Sequence, residues 1–327
     1  MQLEDYFGEF LRKTVNLSQF KLDTLDDRVG KIYRALQNDG LLGERVQGMS
    51  KQGSWAHKTI IDPVGDNEFD ADFMLYLEDD TSWTPRDYLA NVKAALGRSS
   101  TYRNMTVERK NRCVRVVYAS SCHIDIVPAV SRYEAEYVAY YKDDAWEMTD
   151  PQGFTSWMKE KDDIAGGNLR RVIRLIKFLR DHRGSFTGTR SVILTTLLGE
   201  RVSALKKFSD PGYYKNVPTA LVNIIGDLDE FLQANPTKPI IMDPSGSGAS
   251  FDHRWTQETY AYFRDRIHSH AAEMRAAYDS SDKSDSVSKW QAIFGEEFIA
   301  PTSNQSSSPF GSPATALAST GLSGRAG

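Results

Sequence analysis

Three acidic residues in short apolar segments are the residues of this sequence best suited to chemistry. Asp70 and Asp72 stand two residues apart, directly before the apolar run 73–77, and Asp125 lies in the β-branched stretch 123–127. Because side chains alternate along a strand, Asp70 and Asp72 are expected on one face, where their charges repel each other. A Mg²⁺ ion relieves such repulsion, because it prefers carboxylate oxygens. The three acids predict a two-metal site (two Mg²⁺, with Mn²⁺ as a substitute) in which Asp70 and Asp72 bridge both ions and Asp125 completes the ion on the nucleophile side.

A Gly-Ser pair ahead of the acids is the second chemical signal. The backbone N–H groups of Gly53-Ser54 can approach a phosphate closely, because glycine has no Cβ, and Ser54 adds a hydroxyl donor. The pair lies between two segments with strand character, which favours phosphate binding. An ordinary turn is the alternative interpretation.

A basic stripe occupies the segment 168–183, whose pattern predicts a helix. Arg170, Arg174 and Lys177 fall on one face of it, and the opposite face is apolar. Such a stripe is usually solvated, and this is the interpretation for Arg170 and Arg174. The six histidines show no metal-ligand spacing, and the sequence contains no Ser-His-Asp, Cys-His or Walker-type signature.

Composition limits the classes of partner. The chain has 327 residues, 40% hydrophobic and 26% charged, with a net charge of -4. A grip on long nucleic acid usually needs a basic face, so no long nucleic acid is expected. Small anionic substrates such as nucleoside triphosphates remain compatible with this charge balance, since they need only a local pocket. No apolar segment has membrane-spanning length, and the acidic start at residues 1–5 is unlike a signal peptide. Cys113 and Cys122 are therefore expected to stay reduced, in the cytoplasm.

The hydrophobic patterns predict an α+β fold with a mixed sheet in the first half and helices in the second. The predicted strands are 46–52, 70–78, 107–118 and 123–130, the last two forming a hairpin around Ser120-Ser121, and the predicted helices are 19–39, 85–97, 168–183, 190–205, 218–233, 252–278 and 286–294. We expect a catalytic core with a long N-terminal helix over 1–150 and a helical lobe over 151–300. The tail 301–327 is rich in Ser, Ala and Gly and is expected to be disordered.

With these residues in view, the chain resembles the CD-NTase family, the bacterial relatives of cyclic GMP-AMP synthase and oligoadenylate synthase. The resemblance extends over about 20–298, and the matching segments are 52–54 (Gln-Gly-Ser), 69–73 (Phe-Asp-Ala-Asp-Phe), 123–128 (His-Ile-Asp-Ile-Val-Pro), 169–181 and 290–298. The Gly-Ser pair and the acid triad specify the polymerase β-like nucleotidyltransferases. The helical lobe and the segment 290–298 narrow the resemblance to this family.

The resemblance implies a bilobed enzyme with a central cleft that makes a cyclic di- or trinucleotide second messenger from NTPs, ATP among them, in the anti-phage CBASS defence. By position, Lys177 and Ser191 resemble family residues that contact the triphosphate. His57-Lys58 stands where the family often has an arginine, and Val192 stands where cyclic GMP-AMP synthase has a base-stacking aromatic residue. The resemblance therefore does not predict which bases are joined.

Two further functions and two kinds of protein partner stay open at this stage. The same catalytic core could transfer AMP to a protein, tRNA or small molecule, or a degenerate site could serve nucleotide-dependent regulation, which the intact acid triad argues against. An activator protein is one partner that the resemblance leaves open. The other is a conjugation machinery acting at Gly327, because many members of the family end in a flexible segment with a small last residue; a frayed terminus is the alternative.

Overall fold

A mixed sheet forms most of the first half of the chain, and helices form the second half. The computed structural model describes residues 1–65, 68–118 and 122–301. The strands are β1 (Val46–Gln52), β2 (Phe69–Leu77), β3 (Thr106–Arg109), β4 (Val114–Tyr118), β5 (Cys122–Arg132), β6 (Ala135–Tyr140) and β7 (Ala145–Thr149). The helices are α1 (Glu4–Phe10), continued by a π-helical turn (Leu11–Val15), α2 (Gln19–Gln37), α3 (Gly53–Ala56), α4 (Pro85–Arg98), α5 (Pro151–Ile164), α6 (Leu169–Arg183), α7 (Ser191–Glu200), α8 (Ala204–Ser209), α9 (Val217–Ala234), α10 (Gln257–Asp279) and α11 (Lys283–Phe294), with a 3₁₀ turn at Gly43–Arg45. The predicted α+β class with a mixed sheet is confirmed.

The sheet is built around one parallel pair of strands. Its order is β1-β2-β5-β4-β3, and the far half of β5 pairs with β6, which in turn pairs with β7. β2 and β5 run parallel, and the other described pairs are antiparallel. Parallel neighbours need a long connection, and here α4, β3 and β4 lie between them in the chain.

The two faces of the sheet differ in what covers them. Ala71, Phe73 and Leu75 of β2 pack with Ile124 and Ile126 of β5 in a buried cluster that α2 and α4 complete. Side chains alternate along each strand, so the acids of β2 and β5 project from the opposite face. That face is thinly packed, with a small cluster of Met74, Val127, Ala129 and Val138.

The region 107–132 departs from the predicted hairpin of two strands. The segment 107–118 forms two antiparallel strands, β3 and β4, with a turn at residues 110–113. The predicted turn at Ser120-Ser121 lies outside the described residues. Pro128 does not end β5, because the pairing with β4 stops at Ile126 and the pairing with β6 starts at Ala129. On that side of β5 the missing proline N–H therefore removes no bond from the β4 or the β6 ladder, while on the other side Pro128 remains the register partner of Leu75 in β2.

The second half is a helical cluster that also takes in the start of the chain. Phe7 of α1 is fully buried and makes edge contacts with Trp290, Phe294 and Phe298. The predicted helix 190–205 is split into α7 and α8, and the predicted helix 252–278 begins only at Gln257, where Thr256 accepts the N–H of Thr259. None of the helices in the described ranges has the length and apolar character that a bilayer crossing requires. The tail 302–327 lies outside the described residues, and the domain boundary near 150 stays a prediction.

Phe7→Ala is expected to lower the free energy of unfolding by about 3–5 kcal/mol, because it removes a fully buried ring and leaves a cavity between α1 and α11. Urea denaturation measures the loss. The matched control is Phe20→Ala, since Phe20 is 78% exposed, and its expected effect is within about 0.5 kcal/mol. Equal small losses for the two variants would contradict this packing.

Candidate active site

The parallel register of β2 and β5 brings the three predicted acids together. Asp72 and Asp125 are direct register partners, and Asp70 is the partner of His123. Parallel register partners point to the same side, so all three carboxylates share the open face of the sheet. The Asp70 side chain is 53% exposed and that of Asp125 only 9%, so the group runs from solvent into the protein.

Arg115 is a charged residue of this group that the sequence analysis missed. It is the antiparallel partner of Asp125, and its Nε and Nη2 donate to the two carboxylate oxygens at 2.7 and 2.8 Å. Its Nη2 also lies 3.5 Å from Asp70 Oδ1, which His123 Nδ1 contacts at 3.2 Å. A guanidinium thus offsets part of the negative charge that the register concentrates.

Asp72 is the carboxylate whose ionised form is most destabilised by its surroundings. Burial, then the charges of Asp125 and Asp70, raise the pKa of its carboxyl from 3.8 to about 7. A buried carboxylate beside two others is stabilised by a cation, and divalent magnesium prefers such oxygens. In the described ranges, no three His, Cys, Asp or Glu side chains are already grouped closely enough to coordinate a metal ion. The Asp125 carboxylate is instead hydrogen-bonded to Arg115. The donor set nevertheless fits a divalent ion in its chemistry.

Position 53 accepts only glycine, partly because the Asp72 carboxylate lies so close to it. Its φ is +60°, and a Cβ there would lie 2.8 Å from Asp72 Oδ2, so a side chain is excluded both by conformation and by space. Gly53 and Ser54 open the one-turn helix α3. Ser54 is half-buried, and its hydroxyl has no hydrogen-bond partner among the described residues.

The cations of α6 hold the backbone that follows α3. Arg170 Nε, Arg174 Nη1 and Lys177 Nζ donate to the successive carbonyls of residues 57–59, at 2.8, 2.9 and 3.0 Å. Arg170 also pairs with the buried Asp162 at 2.5 Å. The prediction of a solvated face for Arg170 and Arg174 is therefore wrong: the spacing of 4 and 3 residues matches three consecutive carbonyls of a neighbouring segment.

Lys177 approaches Asp72, and Ser191 takes a more remote position. Lys177 is 5% exposed, and burial, then the charge of Arg180, lower its pKa to about 7, while Asp72 acts in the opposite direction. The Ser191 hydroxyl accepts a hydrogen bond from Arg180 Nη1 at 3.1 Å. Of the predicted phosphate ligands, Gly53 and Lys177 are brought to Asp72, whereas Ser191 is held by Arg180.

His57, which stands where the family often has an arginine, does not supply a positive charge. Its ring stacks on Phe154 at a centroid distance of 4.7 Å. Burial, then the charges of Lys177 and Arg170, lower its pKa to about 4. The imidazole is therefore neutral at pH 7, and it lines the cavity beside Asp72.

A cavity of about 450 Å³ opens between this face of the sheet and the helices. Its lining includes Gly53 and Asp72 from the sheet side and Arg190, Val192 and Phe251 from the helical side. Of the three acids, Asp72 lines this cavity, and its register partner Asp125 lies directly beside it in the sheet. The cavity is large enough for a nucleotide, and carboxylates beside such a space suit metal-assisted phosphoryl transfer.

The raised pKa of Asp72 predicts a pH dependence of stability in EDTA. Between about 3.8 and about 7 the folded protein binds this proton and the unfolded chain does not, so stability falls as the pH rises through that range. Asp72→Asn removes this dependence, and the variant is expected to gain on the order of a few kcal/mol over the wild type at pH 8. Urea denaturation at pH 4.5–8 measures both proteins.

Mg²⁺ provides the second arm of that experiment. At pH 8 it is expected to stabilise the wild type and to stabilise Asp72→Asn less, because a ligand that binds only the folded state adds to stability. Parallel pH curves for the two proteins, together with an equal response to Mg²⁺, would contradict the assignment.

Comparison with known proteins gives matches to the sequence and to the fold of this chain. Residues 1–162 match the family model of the Second Messenger Oligonucleotide or Dinucleotide Synthetase domain. The chain is 24% identical to a c-di-GMP synthase of Roseivirga ehrenbergii, over 73% of this chain and 71% of the relative, and 21% identical to a cyclic AMP-AMP-AMP synthase of Acinetobacter sp., over 80% and 74%. Among solved structures, the Vibrio cholerae DncV cyclic AMP-GMP synthase in complex with nonhydrolyzable GTP superposes with a TM-score of 0.72 at 16% identity, over 91% of this chain and 97% of that chain. The match over residues 1–162 and these relatives bear out the resemblance of the chain to the CD-NTase family of nucleotidyltransferases.

Proposed function

We propose that this nucleotidyltransferase uses Asp70, Asp72 and Asp125 to synthesise a cyclic di- or trinucleotide second messenger from NTPs, ATP among them, for anti-phage defence. The register pairing of Asp72 with Asp125 beside a cavity of nucleotide size is the observation that carries the proposal. Two free thiols, Cys113 and Cys122, and triphosphate substrates are consistent with work in the cytoplasm.

The reaction joins two nucleotides at a ribose hydroxyl. The hydroxyl oxygen of the acceptor attacks the α-phosphorus of the donor, the bond to pyrophosphate breaks, and the hydroxyl proton leaves toward the Asp125 side. A second displacement, by a hydroxyl of the linear product on its own triphosphate, closes the ring and releases a second pyrophosphate. Both steps are in-line displacements that need positioning and charge stabilisation.

Mg²⁺ is the cofactor that the carboxylates would hold. Asp70 and Asp72 would bind both ions, with Asp125 on the nucleophile side, and Mn²⁺ could replace Mg²⁺. When bound, the ions supply Lewis acidity and lower the pKa of the attacking hydroxyl. Arg115 then keeps Asp125 in position while sharing its charge.

The donor triphosphate is assigned to Gly53, Ser54, Lys177 and Ser191. Gly53 and Lys177 lie near Asp72. The Ser54 hydroxyl, which has no partner among the described residues, can donate a hydrogen bond to a phosphate oxygen. Arg170 and Arg174 support this group indirectly, because their bonds to the carbonyls of residues 57–58 hold the chain beyond α3. Ser191 would have to release Arg180 in order to reach a phosphate.

The purified protein, given the four α-labelled NTPs and Mg²⁺, is expected to form a phosphatase-resistant product. Asp70→Asn/Asp72→Asn should reduce its formation by about 10³-fold or more, equivalent to about 4 kcal/mol of lost transition-state stabilisation. Chromatography after phosphatase treatment measures the product. Omission of each NTP in turn identifies the bases, which differ among the relatives.

The control is Asp23→Asn/Asp27→Asn, which makes the same two changes on the exposed face of α2 and should keep wild-type activity. Retained turnover in the double variant of the site would reject the assignment of the acids. Label on a protein or tRNA from added lysate, without a cyclic product, would favour AMP transfer to an acceptor instead.

A further inference from the structure

His123 lies among the acids of the active site and has no role in the mechanism above. It is the register partner of Asp70, and its ring lies between two carboxylates. Nδ1 is 3.2 Å from Asp70 Oδ1, and Nε2 is 2.7 Å from Glu68 Oε2. An imidazolium has an N–H on each side, so it can donate to both carboxylates at once.

Glu68 is an acid that the sequence analysis did not single out. It stands directly before β2, two residues ahead of Asp70, and side chains two residues apart in an extended chain project to the same side. Its side chain is 42% exposed, and its one ion pair within the described residues is with His123. In the described structure Glu68 therefore reaches the other acids through the histidine.

Asp70 is the acid of the site that its surroundings hold least. Asp125 is 9% exposed and is bound by Arg115 through two short hydrogen bonds, whereas Asp70 is 53% exposed. Arg115 Nη2 approaches Asp70 Oδ1 only to 3.5 Å, and Nη1 of the same guanidinium lies 3.5 Å from His123 Nδ1. The contact from His123 is therefore the shortest polar contact of the Asp70 carboxylate in the described ranges, and none there involves Oδ2.

The exposure of Asp70 matters for metal binding, because a free carboxylate can rotate and an ion that binds it must offset the entropy lost on fixing it. A hydrogen bond to one oxygen before the ion arrives removes part of that cost, and groups that orient a ligand in this way typically change metal affinity by about 10–100-fold. A positive ring beside the ligand has the opposite effect, because it repels a cation. Removal of the ring therefore weakens metal binding if positioning dominates and strengthens it if repulsion dominates.

We propose that His123 is a positioning residue: it holds Oδ1 of Asp70 so that Oδ2 is left for the metal ion, and Glu68 holds the ring from its other side. The inference rests on the proposed function and adds two residues to its metal site. Two explanations compete with it. The contacts could merely tie the start of β2 to β5, or Glu68 could itself bind the metal as a fourth carboxylate.

Two substitutions of His123 separate the roles of its two nitrogens. The amide nitrogen of asparagine falls near the place of Nδ1 and that of glutamine near the place of Nε2, so His123→Asn keeps the contact with Asp70 and His123→Gln keeps the one with Glu68. Binding of Mn²⁺ alone, at pH 7 and without nucleotide, is measured from the loss of the free-ion electron paramagnetic resonance signal. His123→Asn is expected to bind within about threefold of the wild type, and His123→Gln about tenfold more weakly.

The Mg²⁺ requirement of synthesis is the second measurement. In His123→Gln the Mg²⁺ concentration for the half-maximal rate is expected to rise about tenfold, while kcat at saturating Mg²⁺ stays within about threefold of the wild type. The two quantities separate because the histidine contacts a proposed metal ligand and not the reacting atoms. His123→Asn should keep the wild-type requirement.

A double-variant cycle tests the place of Glu68. If Glu68 acts through the ring, Glu68→Ala weakens Mn²⁺ binding about threefold in the wild type and has no effect in His123→Asn, whose side chain does not reach Glu68. A direct metal ligand would give the same loss in both backgrounds. That result, or no loss in either background, would overturn the role assigned to Glu68.

His268→Ala is the matched control, because His268 of α10 also contacts a carboxylate, that of Asp229 at 2.9 Å, and belongs to no part of the site. It should leave both metal measurements unchanged. Urea denaturation in EDTA shows that each variant is folded. A loss of stability in His123→Gln with an unchanged Mn²⁺ affinity identifies a merely structural contact and overturns the proposal.

The outcomes distinguish this inference from the proposed function. Equal Mn²⁺ affinities for His123→Asn and His123→Gln overturn the positioning role. Tighter binding by His123→Gln than by the wild type shows that repulsion dominates and also overturns it. If the wild type joins no nucleotides, the proposed function fails, and a loss of Mn²⁺ affinity in His123→Gln alone still supports the positioning of Asp70.

Discussion

The parallel pairing of β2 with β5 is the constraint on which the rest of the site depends. It fixes Asp72 beside Asp125 and leaves Asp70 one pleat nearer to solvent. Three carboxylates at this spacing are unfavourable in a protein interior. The fold tolerates them because the opposite face of the same strands is packed with apolar side chains, whose burial stabilises the sheet. Arg115 offsets part of the repulsion among the carboxylates, and the repulsion that remains helps to raise the pKa of Asp72.

The helical half contributes position more than chemistry. α6 buries its apolar face among the other helices and turns Arg170, Arg174 and Lys177 toward three carbonyls beyond α3. The segment that follows the Gly-Ser pair is therefore tied to the helices and not only to the sheet. A substitution in α6 can act on phosphate binding through this backbone without touching a nucleotide.

The local features of this protein could be predicted from the sequence, and those that depend on register could not. Alternation along a strand correctly predicted the shared face of Asp70 and Asp72. The helix predicted over 85–97 is α4, which begins at Pro85, where the Asp87 carboxylate accepts the Thr84 N–H at 2.8 Å. A hairpin folded symmetrically about Ser120-Ser121 would set Val116 opposite Asp125, whereas the structure sets Arg115 there. A shift of one residue exchanges an apolar partner for a cation, and no local pattern reports it. The hydrogen bonds from α6 to the carbonyls of residues 57–59 were not predicted, because they join segments more than a hundred residues apart in the chain.

The contact of Phe7 with Trp290 and Phe298 has a consequence for how the enzyme comes into being. α1 is made long before the aromatic surface that buries it, because nearly all of the described helices and strands lie between the two in the chain. The sheet can form before these aromatic residues have been made, and until then the apolar side of α1 has no surface to pack against. Completion of the helical half, and with it the placement of α6 over the catalytic face, therefore waits until residues 290–298 have been made. The proposed synthase would thus assemble its active site only after α11 has left the ribosome.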